Sequence, residues 1–151
     1  MFTASKFPLY RQYDAMQCGV ACLRMVCAHF GRQFSMEELS ELCPTTSEGV
    51  SMLGISRAAE ELGLHTACGR LTVDVLATAP LPCILHWNQN HFVVLHRISA
   101  EGKAAARSTS PTPPIHKASK ILLLTIKNYI YEKLSFNYFL FIILRNIFFV
   151  Q

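Results

Sequence analysis

Two residues of this 151-residue chain have the type and setting for thiol chemistry. Cys18 stands with Gly19 at the mouth of an apolar run, QYDAMQCGVACL over residues 12–23. A thiol at a helix start lies beside unpaired backbone N–H groups and the positive end of the helix dipole, which favour the thiolate. His91 follows the turn-prone trio Asn88-Gln89-Asn90 and opens a β-rich run, so its imidazole can address a helix N-terminus across a cleft. Gln12, six positions before Cys18, carries a side-chain amide N–H that can join the Cys18 N–H in an oxyanion hole. Nucleophile, proton carrier and oxyanion donor are three of the four parts that acyl transfer through a thioester needs; the fourth orients the imidazole. Each residue also has an ordinary alternative. A free cysteine is often a small buried apolar residue, and one histidine among six is commonly a surface or core residue. His86, His91 and His96 suggest a metal site, but a spacing of five puts His91 and His96 on opposite faces of one strand. Neither metal nor cofactor is expected.

Helices must present the thiol and strands the imidazole. From Cys18 to Phe30 the apolar residues Ala21, Cys22, Met25, Val26 and Phe30 recur at helical spacing, and Gly31 ends the run. Residues 7–14 read as an extended lead-in, since Pro8 lacks the N–H a helix would use. Ser35 with Glu38 forms a capping box for a short helix through Leu42. Residues 51–62 read as a third helix with Leu53, Ile55, Ala58, Ala59 and Leu62 inward. A strand is expected over 65–72 and a helical turn over 74–78, with Pro80 and Pro82 framing a short connection. Cys83–Trp87 and His91–Ile98 then form a hairpin around three residues; Phe92, Val94 and His96 share one face, His91, Val93, Leu95 and Arg97 the other.

Length and a 51% hydrophobic share imply one domain with a real core. The charge of +4 is uneven: residues 1–99 balance at −1, residues 100–151 at +5. The first part therefore has no basic stripe for nucleic acid. Six cysteines without CxxC pairs argue against a zinc ribbon, and together with the lack of a signal peptide they favour a reducing, cytoplasmic setting. Residues 100–119 are rich in Ala, Ser and Pro and read as linker. Residues 120–151 form an apolar, basic tail whose longest charge-free stretch, 134–144, is too short to span a bilayer. A weak interfacial membrane contact is the expectation for it.

Several separated blocks add a family resemblance. Gln12, Cys18-Gly19, Ala21-Cys22-Leu23, Glu48-Gly49-Val50-Ser51 with Leu53-Gly54, Pro80-Leu81-Pro82, and His86-Trp87 with Asn90-His91-Phe92-Val93-Val94 stand in order across residues 5–99. They resemble the C39 peptidase domain, a papain-like module of bacterial transporters that export bacteriocins and other double-glycine-leader peptides. The resemblance implies an α+β, papain-like fold, with N-terminal helices packed on a small antiparallel sheet. It implies Cys18 as nucleophile, His91 as general base and acid, and Gln12 as oxyanion-hole donor. It also implies a leader-peptide substrate, partnership with the transporter's membrane and ATP-binding domains, and a place at the cytoplasmic face of the inner membrane.

The chain departs from the family at two points. Gln17 stands where many members have Asp. The family also has an Asp-Pro on the strand after the histidine strand, whereas the two Asp residues here, Asp14 and Asp74, both precede His91. The C-terminal strands are accordingly expected to be missing, with a truncated or frameshifted sequence after about residue 99. Read one frame over, RSTSPTPPI at residues 107–115 permits Phe-Tyr-Ile-Ser-Asp-Pro-Ala. Two alternatives to a working peptidase domain remain: a leader-binding module that does not cut, and an inactive exporter fragment.

Overall fold

The computed structural model describes residues 7–11, 15–47, 49–87, 91–99, 104–107 and 121–128. A 3-10 turn at Ala15–Gln17 leads into α1 (Cys18–His29), followed by α2 (Met36–Leu42), α3 (Met52–Glu61), β1 (Leu64–Leu71) and α4 (Val73–Leu76). The strands β2 (Cys83–Trp87), β3 (His91–Ile98), β4 (Ala104–Arg107) and β5 (Ile121–Asn128) complete the order.

Nine of the twelve residues of α1 are buried, because β3 packs on one side of it and α2 and α3 on the others. A helix apolar nearly all round belongs inside a fold. The capping box of α2 forms as the sequence requires. The Ser35 backbone N–H donates to the Glu38 carboxylate at 2.7 Å, and the Glu38 N–H donates to Ser35 Oγ at 3.1 Å. Ser51 caps α3, its Oγ accepting from the Gly54 N–H at 3.0 Å. The inward face of α3 needs one correction. Leu53, expected inside, is 57% exposed, while Met52, Ile55, Ala58 and Ala59 are buried. At about 100° per residue, Leu53 lies some 200° from Ile55, so the face that buries one must expose the other.

The five strands form one sheet in the order β1-β5-β2-β3-β4, and every neighbouring pair is antiparallel. Its two faces are both covered. Ile84, Phe92, Val94 and Leu64 meet the helices α1 to α3. Cys83, Leu85, Val93, Leu95 and Leu71 pack with Leu76 and Ala79 on the opposite face. Double coverage explains the unbroken apolar runs of β2 and β3, which have no solvent side to alternate towards.

The segments read as linker and tail contain strands. Ala104–Arg107 pairs with the β3 edge, and Ile121–Asn128 lies between β1 and β2. The expectation of missing C-terminal strands is thus overturned for these residues. Alanine is a poor strand former, so AAAR takes its conformation from the edge it meets. ILLLTIKN looks like a lipid-facing run, but such a run also suits a strand hydrogen-bonded on both sides. The remaining residues of the expected linker and tail lie outside the described residues. No helix among the described residues is long and apolar enough to cross a membrane.

Candidate active site

Cys18 is the first residue of α1 and is 5% exposed. Gln17, in the cap position, makes no side-chain capping hydrogen bond, and the first turn contains no acid. The positive end of the helix is therefore not neutralised by its own side chains.

The residue after the thiol decides how α1 meets the sheet. A Cβ on Gly19 would lie 2.3 Å from Val50 Cγ1, 2.8 Å from Ile55 Cδ1 and 3.2 Å from Phe92 Cδ2. Only glycine admits all three side chains to the helix backbone. Phe92 directly follows His91, so the contact joins the start of α1 to the start of β3, and Cys18 and His91 are the chain neighbours of the touching pair. Gly49 and Val50 lie at the same corner. Thr46 and Gly49 exchange both backbone N–H···O bonds at 3.0 Å. Gly49, at φ +94°, would set a Cβ 3.4 Å from the Met16 carbonyl oxygen.

His91 is half-buried and pairs across the ladder with Trp87. Burial lowers its imidazole from the ordinary histidine value, which favours the neutral base. Alternation assigns His91 to the side of Val93 and Leu95, away from α1. His91 is the first residue of β3 and is held in the ladder opposite Trp87. His86, opposite Phe92, stacks on that ring with centroids 4.4 Å apart and planes at 11°. His96 stacks on Phe7 at 4.7 Å. Among the described residues no group of three His, Cys, Asp or Glu side chains is placed to hold a metal ion.

Gln12 lies outside the described residues. The lead-in before it is anchored along α1, with Phe7 against His29 and the Tyr10 ring 4.0 Å beneath the Arg24 guanidinium. The Tyr10 hydroxyl also donates to Gln33 Oε1 at 3.1 Å. From residue 7 to residue 10 the chain thus passes from the last turn of α1 back towards its first.

Burial acts on the other five thiols. Cys22, one helical turn on, is pushed well up by burial and then by the neighbouring Cys18. Burial raises Cys27 and Cys43 to about 11 and Cys83 further still. Cys68 is exposed on β1; desolvation of its sulfur raises it, Ser56 pulling it down and Glu60 adding to the rise. No described residue after His91 is acidic.

Known proteins resemble this chain in sequence and fold. A model of the Peptidase C39 family matches residues 6–107, eight residues past the expected break. This chain belongs to the peptidase C39 family. The colicin V secretion/processing ATP-binding protein CvaB of Escherichia coli is 39% identical over 90 residues, 60% of this chain and 13% of that protein. The pediocin PA-1 transport/processing ATP-binding protein PedD of Pediococcus acidilactici is 31% identical over 115 residues, 72% of this chain and 16% of that one. The chain therefore spans less than a fifth of these relatives. Among solved structures, a double glycine motif protease from an AMS/PCAT transporter, in complex with its leader peptide, superposes with a TM-score of 0.72. It is 29% identical and covers 82% of this chain and 93% of its own. The peptidase domain of Streptococcus ComA has the same fold, with a TM-score of 0.69 at 24% identity, covering 82% of this chain and 99% of its own.

The sequence pointed to Cys18 and His91, but it offered Gly19 and Phe92 as motif and strand-face residues and His86 as a motif residue and a disfavoured metal ligand, none of them with a part in positioning the thiol. The signal for them was adjacency, since a small residue and a ring flank the two candidate reacting residues.

Proposed function

We propose that this domain cuts leader peptides after a double-glycine pair, by a thioester mechanism. The supporting observation is the Gly19–Phe92 contact, which ties the start of the Cys18 helix to the start of the His91 strand in a chain of this family. Cys18 Sγ attacks the carbonyl carbon of the residue before the scissile bond, and His91 takes the thiol proton. The developing oxyanion is met by the Cys18 N–H and the Gln12 side-chain amide. His91 returns the proton to the leaving amine, and the carbon–nitrogen bond breaks to leave a thioester. Water, deprotonated by His91, then hydrolyses the thioester and frees Cys18.

The names of the relatives, secretion/processing and transport/processing ATP-binding proteins for colicin V and pediocin PA-1, support a place in an exporter with bacteriocin-type precursors as substrates. A position beside its membrane and ATP-binding parts, at the cytoplasmic face of the inner membrane, is part of the same proposal. One observation favours a second reading, a module that binds leaders without efficient cleavage: no described residue after His91 is an acid that could orient the imidazole. Incubation of the chain with a synthetic double-glycine leader precursor, followed by mass spectrometry, separates the two. Cleavage after the glycine pair, abolished in Cys18→Ala and His91→Ala, supports the peptidase. Saturable binding without any cleavage supports the binding module, and neither binding nor cleavage defeats both.

A further inference from the structure

His86 and Phe92 face each other across the β2–β3 ladder, and their rings lie nearly parallel, 4.4 Å apart at 11°. Alternation places both with Ile84 and Val94, on the side of the sheet that carries α1. Phe92 is buried, and its Cδ2 is 3.2 Å from the Cβ position of Gly19. The Phe92 ring therefore fills the space between the sheet and the first turn of α1. A phenylalanine ring turns about its Cβ–Cγ bond, and an imidazole flat against one face blocks that turn. Without it, the ring edge can swing and the first turn of α1 loses its fixed stop.

We propose that His86 is a positioning residue for the candidate nucleophile, its ring holding the plane of Phe92, which in turn sets Cys18 relative to His91. The role rests on the reading of Cys18 and His91 as the reacting pair. It needs a flat ring at position 86, not a titrating one, which distinguishes His86 from a second base and from a metal ligand.

The test reads thiol chemistry, so it does not depend on leader cleavage. The rate of Cys18 carboxamidomethylation by iodoacetamide is followed by mass spectrometry from pH 5 to pH 9 in the native chain, His86→Ala, His86→Phe and His91→Ala. His86→Ala is expected to slow Cys18 labelling at neutral pH by about three- to tenfold, the scale of one lost aromatic pair. His86→Phe, which keeps the stacked ring, should stay within about twofold of native. An unchanged rate in His86→Ala while His91→Ala is slowed overturns the role of His86 alone. An equal loss in His86→Phe and His86→Ala also overturns it, because the imidazole itself would then matter. Faster labelling of the buried Cys22, Cys27 and Cys43 in His86→Ala marks general loosening and counts against it too. An unchanged rate in His91→Ala instead overturns the underlying pairing.

Discussion

The ring of Phe7 lies flat on the imidazole of His96, 4.7 Å away at 14°, with His29 at 5.1 Å beside it. A residue from the extended lead-in is thereby held between the last turn of α1 and the far part of β3. Three residues later Tyr10 sits beneath Arg24, so the lead-in is anchored twice before it reaches Gln12. Phe7→Ala should cost about 1–2 kcal/mol in urea unfolding, the scale of two aromatic contacts. Leader cleavage should fall further than Cys18 alkylation does, because the lead-in carries Gln12, the proposed oxyanion donor, and not the thiol. Equal losses in both would make the anchor purely structural.

The imidazoles of His29 and His91 are both lowered by burial from the ordinary value of 6.5. Between the folded value and 6.5 the unfolded chain binds more protons, so stability rises with pH across that window and is lost as pH falls through it. The melting temperature should therefore drop from pH 7 to pH 5, and His29→Phe, which keeps a ring against Phe7, should flatten the slope. The acid limb of kcat/KM should fall below pH 6.5, since His91 stays a free base until then. A limb above that value would show an imidazole stabilised as the cation.

What the sequence disclosed was chiefly local. The capping box at Ser35 and Glu38 lies within four residues, and β2 and β3, neighbours in the chain, pair in the register Trp87↔His91. Apolarity alone does not give the phase of α3, since Leu53 is apolar yet lies at the outward angle. β5 was hidden for another reason. Its partners, Ala67 and Cys83 at Thr125, lie dozens of residues upstream, and no local pattern states which distant edges a run will join. The Gly19–Phe92 contact is equally non-local. Sequence adjacency placed both residues next to the candidate site, but the clearance that demands glycine exists only in the packed structure.

Gly19→Ala tests that clearance. Alanine favours a helix over glycine by about 1 kcal/mol, yet its methyl would enter the space of Val50, Ile55 and Phe92. Overpacking of this kind costs about 1–3 kcal/mol. The expected result is net destabilisation with slower Cys18 alkylation. A more stable and equally reactive variant would show that the first turn of α1 has room to move.

Thr125→Pro tests β5. It removes an N–H from a strand with neighbours on both sides, and an orphaned ladder partner costs about 1–3 kcal/mol. Ala104→Pro, at the first residue of the edge strand β4, should be tolerated much better. Equal, small effects on the unfolding midpoint would mean that residues 121–128 contribute little to the sheet.

The last prediction concerns the carboxylate that should orient His91. In serine proteases loss of the orienting acid lowers turnover about 10,000-fold, because the ring adopts the wrong tautomer. A thiol depends less on that help, since sulfur is already a strong nucleophile near neutral pH. This chain should therefore alkylate at Cys18 readily but cut leaders slowly. β4 runs antiparallel to β3 with Arg107 opposite Val94, a direction that leads onward towards the His91 end of the strand. A variant whose residues 108–114 read Phe-Tyr-Ile-Ser-Asp-Pro-Ala, with Ile121–Asn128 kept, would offer an acid from that side. Its kcat on a double-glycine precursor should rise by at least about tenfold, with KM and Cys18 alkylation changed little, because the added acid acts on the imidazole and not on peptide binding. If kcat does not rise while the variant melts like the native chain, orientation of His91 is not what limits cleavage.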